Sequence, residues 1–144
     1  MPVDAAVHGA NAAATGRLRA MARLTDAELA TPVGEHWTVA VALAHLAFWD
    51  RRVLLVLEGT ERAGAVEARE IDISVNDVTL LAWSAIPPRD TVRLAIESAE
   101  TLDARLAAYP AELLAAVEAT NARWVRRSIH RNLHLDEVEA ALDR

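Results

Sequence analysis

Two histidines stand four residues apart in His130-Arg131-Asn132-Leu133-His134, and a third, His45, lies inside the most apolar stretch of the chain. On a helix, residues four apart sit one turn above each other with β-carbons about 5–6 Å apart, which lets two imidazoles converge on one cation. Taking helix phase from His130, Arg126, His130 and His134 line one edge of a stripe that also carries Ile129, Leu133 and Glu137. His45 needs polar company of its own, because a buried neutral imidazole still carries one donor and one acceptor. The chemistry this set points to is coordination of a divalent metal by nitrogen. The residues alone also allow a plainer reading, with His45 a satisfied core residue and His130 and His134 on a partly solvated helix edge. A zinc-protease motif is excluded, because Arg131 rather than glutamate follows His130. Cysteine is absent, which removes disulfides, thiolate ligands and a cysteine nucleophile together.

Around this set, Arg126 is a candidate to neutralise a carboxylate on a bound molecule, against the alternative that Arg123, Arg126, Arg127 and Arg131 form a solvated helix face. Glu137 and Asp50 are candidate acceptors for the ring nitrogens that do not ligate, or else surface carboxylates. Asn76 reads as a cap or turn residue, Trp37 and Trp49 as packing residues, and His8 and His36 as surface or loop residues. Trp83 and Trp124 have no assigned place.

Helices have to carry these side chains. The 144 residues are 53% apolar but only 4% aromatic, with five glycines and five prolines, and alanine, the best helix former, supplies much of the apolar content. This composition predicts a single all-α domain over residues 1–144. A first helix is expected from about Asp4 to Leu24, and a capping box at Thr25 to Glu28 opens a short turn that Pro32 and Gly34 break. Thr38 is placed to cap a central helix from Val39 to Leu57 that stops at Glu58-Gly59, followed by a surface loop. A short helix over Val78 to Ile86 ends at Pro87-Pro88, and a long one follows from Asp90 or Thr91 to Tyr109. A short piece from Pro110 to Val117 leads to a last long helix, capped by Asn121 and running toward Leu142. Four long helices and no strand alternation predict an antiparallel four-helix bundle with short extra helices in its connections.

The formal net charge of −6, with every basic residue an arginine, speaks against nucleic acid as a partner, since that binding draws on clustered cations. The longest apolar stretch, Val39 to Trp49, is well short of the roughly 20 residues a membrane span needs. No export signal is read at the N-terminus, so a cytoplasmic protein is expected. With so few bulky side chains, burial of a further apolar face in a homodimer is expected as well.

The block Trp37-Thr38-Val39-Ala40-Val41-Ala42-Leu43-Ala44-His45, with a histidine eight residues after a Trp-Thr pair, resembles the signature helix of the DinB/YfiT-like superfamily. His130 and His134 resemble the histidine pair on that family's last long helix, and Asp72 with Asn76 resembles the Asp-x-x-x-Asn stretch of some of its members. The resemblance covers nearly the whole chain. It implies a four-helix bundle of unusual connection order, often dimeric, that holds one divalent metal (zinc, nickel or iron) through His45, His130 and His134. It also implies a thiol-dependent S-transferase or isomerase in which the metal activates a low-molecular-weight thiol toward a small electrophile. The arginine- and alanine-rich composition favours mycothiol over bacillithiol or glutathione, and Arg126 is the candidate cofactor contact. The alternative implied function is a non-catalytic metal-binding stress-response or protein-interaction bundle.

Overall fold

The computed structural model describes residues 2–144. Among them are seven α-helices, two 3-10 turns and one two-residue hairpin, so the all-α reading stands. α1 (Ala5–Ala20) starts where the Asp4 side chain accepts from the Ala6 N–H. α2 (Asp26–Leu29) carries the expected capping box, Thr25 accepting from the Glu28 N–H and Glu28 from the Thr25 N–H. Between α2 and the next helix, β1 (Pro32–Val33) pairs antiparallel with β2 (Trp37–Thr38), a connection that sequence reasoning left without a strand. Gly34 takes the positive φ of 68° that this tight connection requires.

α3 (Val39–Ala63) is capped by Thr38, as expected, but does not stop at Glu58-Gly59. Val53, Leu54, Val56, Leu57 and Thr60 prolong its buried face through that point, and such burial outweighs the cost of about 1 kcal/mol for a mid-helix glycine. The stop comes at Gly64, left-handed at φ 73°, whose N–H bonds the Thr60 carbonyl. α4 (Val75–Ser84) begins before Val78. α5 (Pro88–Ala108) uses Pro88 as its first residue, so the proline pair both ends one helix and opens the next. α6 (Ala111–Thr120) follows Pro110. Asn121 caps the 3-10 turn Ala122–Trp124 rather than the last helix, and α7 (Arg127–Ala141) starts only after that turn.

The four long helices, α1, α3, α5 and α7, form the bundle. α5 packs against α1 and α3, and α7 against the same two, so α1 faces α3 across the diagonal. Helices consecutive among the long four are therefore not all neighbours. One apolar cluster joins Leu18, Leu43, Leu46, Ala95, Ala99 and Leu135, and another joins Leu57, Leu102, Leu106, Val117 and Val125. Buried Ala95 and Ala99 let α5 approach its neighbours closely, and on the edge of the bundle opposite the α1–α5 contact, α3 and α7 lie side by side with their facing residues meeting. Among the described residues, no helix is long and apolar enough to cross a membrane.

Candidate metal centre

The inward stripe of α7 is not the one anchored on Ile129 and Leu133, which are 47% and 49% exposed. Arg127, Arg131, Leu135 and Val138 are the buried residues, and His130 and His134 lie beside them. The two apolar residues misled the helix phase by one position, yet both histidines still reach the bundle. They meet His45, which projects from α3 and is 3% exposed. One nitrogen from each of the three rings lies within 4.8 Å of the others. The Nε2 atoms of His45 and His130 face each other at 3.0 Å.

Hydrogen bonding defines the protons. The Arg127 guanidinium, which can only donate, lies 3.3 Å from His130 Nδ1, so the neutral His130 ring carries its proton on Nε2, aimed at the lone pair of His45 Nε2. His45 then keeps its proton on Nδ1, which is buried without a partner of good geometry. His134 Nδ1 donates to Glu137 at 3.3 Å, the role expected of that carboxylate. Burial pushes the His45 ring down to about 3, with His134 and Arg127 adding to the shift and the neighbouring Asn76 side chain opposing it. Burial likewise lowers His130 to about 2, helped by the positive charge of Arg127. Burial also holds His134 below the usual imidazole range, although Glu137 pulls it back. All three rings are thus neutral at pH 7, the protonation state a metal ligand needs.

Aromatic rings wall the cluster. The Trp37 ring centre is 4.7 Å from that of His45 and 5.6 Å from that of His134, and Trp83 stands edge-on to His45 at 5.4 Å. Trp37, read from the sequence as packing, is therefore part of the site wall, and Trp83 finds its place there. The Trp49 indole N–H donates to the Asn76 side-chain oxygen at 3.0 Å, so Asn76 serves the site's surroundings instead of a backbone cap. A cavity of about 750 Å³ opens on His134 and is bordered by Val33, Trp37, Glu137 and Ala141. The hairpin shapes its outer edge, and His36, exposed as expected, lies on its rim.

Beneath the histidines lies a buried ionic network that sequence reasoning missed. Asp50 is 1% exposed and accepts from Arg127 Nε at 2.9 Å and Arg131 Nε at 3.0 Å, so it bonds two arginines and not a histidine ring. Arg131, fully buried, also donates to Asp103 at 2.8 Å and to Thr15. Two cations and two carboxylates balance, the condition under which buried charge is tolerated. The signal in the sequence was the Arg127–Arg131 spacing, which repeats that of His130–His134 one step inward on the same helix. Arg126 goes elsewhere: it precedes the first turn of α7, pairs with Glu118 at 3.3 Å and is not brought to the histidines. The α7 start is held from outside by Asn11 of α1, whose side chain accepts from the Ser128 N–H at 2.9 Å and donates to the Val125 carbonyl at 2.8 Å.

The donor set suits a divalent cation. Nitrogens sharing one zinc at about 2.0–2.1 Å lie at most about 4.2 Å apart, a separation these rings reach with small side-chain movements. Three neutral imidazoles would leave a coordination position free, which is the arrangement of catalytic sites. A family model described as the DinB superfamily matches residues 12–142, a span holding all three histidines. No curated protein and no solved structure matches the chain.

Proposed function

The chain belongs to the DinB superfamily, and from that premise we propose that His45, His130 and His134 hold one divalent metal and that the protein is a thiol-dependent S-transferase or isomerase. The observation that carries this reading is the convergence of three neutral ring nitrogens within 4.8 Å beside a cavity open at His134. Zinc, nickel and iron all accept imidazole. When bound, such a cation lowers the pKa of a coordinated thiol so that the sulfur is a thiolate at neutral pH.

The chain's own residues supply the remainder. Glu137 orients His134 through its Nδ1–H, and Trp37 and Trp83 keep water from the inner side of the rings. The Asp50 network fixes α7 against α3, which sets the distance between His45 and the histidine pair. With no cysteine in the chain, the sulfur comes from a low-molecular-weight thiol, mycothiol being the favoured source. In the transfer, the thiol loses its proton to solvent, its sulfur forms a bond to an electrophilic carbon held in the cavity at His134, and the electron pair leaves with the displaced group. Arg126, paired with Glu118 away from the rings, is not retained as the cofactor contact.

The test combines metal analysis with thiol consumption. Purified protein with near-stoichiometric metal that is lost on His45→Ala and His134→Ala, and that consumes mycothiol, bacillithiol or glutathione with a haloaromatic, supports the reading. Metal content unchanged by both substitutions overturns the site, and bound metal without any thiol consumption leaves the non-catalytic bundle. A second reading as an interaction protein draws on Ile73, Val78 and Leu81, which are 77%, 78% and 83% exposed at and around α4. We place a second copy of the chain on that face.

A further inference from the structure

Two of the three rings have a polar group set against Nδ1: Glu137 accepts from His134, and the Arg127 guanidinium lies against His130. His45 Nδ1 is buried and has no partner of good geometry. A ring N–H buried without an acceptor is costly, so an acceptor must stand close to it. We propose that Asn76 is the positioning residue of His45, its Oδ1 taking the Nδ1–H, fixing the tautomer and leaving the Nε2 lone pair turned toward His130 and His134. This role rests on the three-histidine metal reading and falls to a residue outside the ligand set.

Trp49, one turn after His45 on α3, fixes the orientation of the amide. An indole N–H can only donate, and that of Trp49 meets Asn76 Oδ1 at 3.0 Å, so the oxygen and not the NH2 group faces α3. Oδ1 keeps a second lone pair. The His45 ring stands edge-on to Trp49, with centres 6.4 Å apart, and its hydrogen bonding to Asn76 favours the protonated ring. That is the sense of an oxygen accepting from a ring N–H, and the opposite of an NH2 group donating to a ring lone pair. Because His45 Nε2 faces His130 Nε2 at 3.0 Å, the nitrogen left for Asn76 is Nδ1.

The fold and the choice of an amide agree with this role. Asn76 is the second residue of α4, and Leu80 and Trp83 seat that helix against Val41 and Ala44 of α3, in the turn before His45. Glu137 can serve His134 as a carboxylate because its side chain is 47% exposed and stays solvated. His45 lies between the rings of Trp37 and Trp83, where an amide oxygen accepts its proton without adding an unpaired charge.

Two measurements on the full chain test the proposal. The first is zinc affinity by isothermal titration calorimetry. Asn76→Leu, close in shape but without an acceptor, is expected to lower it about 10- to 100-fold, and Asn76→Asp, which restores an oxygen, to recover it. The second reads the His45 tautomer from its ring 15N signals in metal-free protein carrying His130→Ala. That substitution removes the His130 N–H from His45 Nε2, so the tautomer then reports Asn76. A proton on Nδ1 is expected there, moving to Nε2 when Asn76→Leu is added. Wild-type zinc affinity in Asn76→Leu, or no recovery in Asn76→Asp, overturns the proposal. Weakened zinc binding with an unchanged tautomer also overturns it, since Asn76 would then only clasp α4 to α3. Should the wild-type chain take up no zinc, the metal reading fails by itself, and the tautomer measurement alone decides the role of Asn76.

Discussion

His45 Nε2 lies 3.0 Å from His130 Nε2, although 85 residues of chain separate them. That contact exists because α3 and α7 are neighbours in the bundle, and because the Asp50 carboxylate on α3 grips two arginines of α7 from below. A single proton between the two nitrogens occupies the direction from which both rings would hold a cation.

Metal affinity should depend on all three rings and on the carboxylate behind them. His45→Ala, His130→Ala and His134→Ala are each expected to lower zinc or nickel affinity by at least about a hundredfold in isothermal titration calorimetry. Glu137→Gln should lower it by about 10- to 100-fold, since it removes only the partner of His134 Nδ1. A full complement of metal in His130→Ala speaks against the site.

Acid should leave binding intact longer than free imidazole chemistry suggests. His45 is lowered to about 3 and His130 to about 2, so protons do not compete for these rings between pH 7 and 5. Zinc affinity measured by competition with a chelator is expected to fall across that range by no more than protonation of the single ring of His134 allows, once the chelator's own titration is accounted for. A steep loss centred near the ordinary histidine value of about 6.5 is the contrary outcome.

The same shifts make the metal-free fold acid-sensitive. The folded rings titrate below their unfolded values, so the unfolded chain binds more protons once pH falls below about 6.5. Above that pH the rings are neutral in both states and stability is undiminished; below it stability falls progressively toward pH 3, by up to about 1.4 kcal/mol per pH unit for each of His45 and His130. Thermal melts in chelator from pH 7.5 to 4 should show Tm falling, and His130→Phe should flatten the curve.

Asp50→Asn leaves Arg127 and Arg131 buried beside a neutral amide. A cost of about 3–5 kcal/mol is expected in urea denaturation, the usual penalty for breaking one side of a buried ion pair. Replacing Asp50, Arg127 and Arg131 together by apolar residues should cost less than Asp50→Asn alone. Equal or greater loss in the triple variant would mean that the network stabilises the fold in its own right.

Self-association should run through α4. Leu81→Glu is expected to convert a dimer to a monomer in sedimentation velocity without changing helical content, because Leu81 is 83% exposed in the single chain. A wild-type chain that sediments as a monomer removes the second-copy reading.

Much of this architecture was legible in the sequence because its signals are local. Thr25 to Glu28 and Thr38 act as caps through hydrogen bonds to residues three positions away, and the order of types alone reveals them. The end of α3 was misplaced for the opposite reason: Gly59 looks like a stop, but the buried Val56, Leu57 and Thr60 around it are paired with distant partners. The start of α7 was hidden likewise, since the capping group is Asn11, on another helix. Asp50 reads in the sequence as a histidine partner or a surface carboxylate, because nothing near it in the chain announces Arg127 and Arg131.

Residue types and their spacing along the chain determined the helical class and the absence of thiolate ligands, and with the resemblance of the Trp37–His45 block they pointed to the three histidines, because helical periodicity and side-chain donor identity are properties of short stretches. The convergence of His45 on His130 and His134, the balance of Asp50 and Asp103 against two arginines, and the removal of Arg126 from the site were decided only by the tertiary structure. The physical reason is that these relationships depend on which helices pack side by side and on their rotation about their own axes. A displacement of one residue in helix phase turns a side chain by about 100°, enough to exchange a buried position for an exposed one.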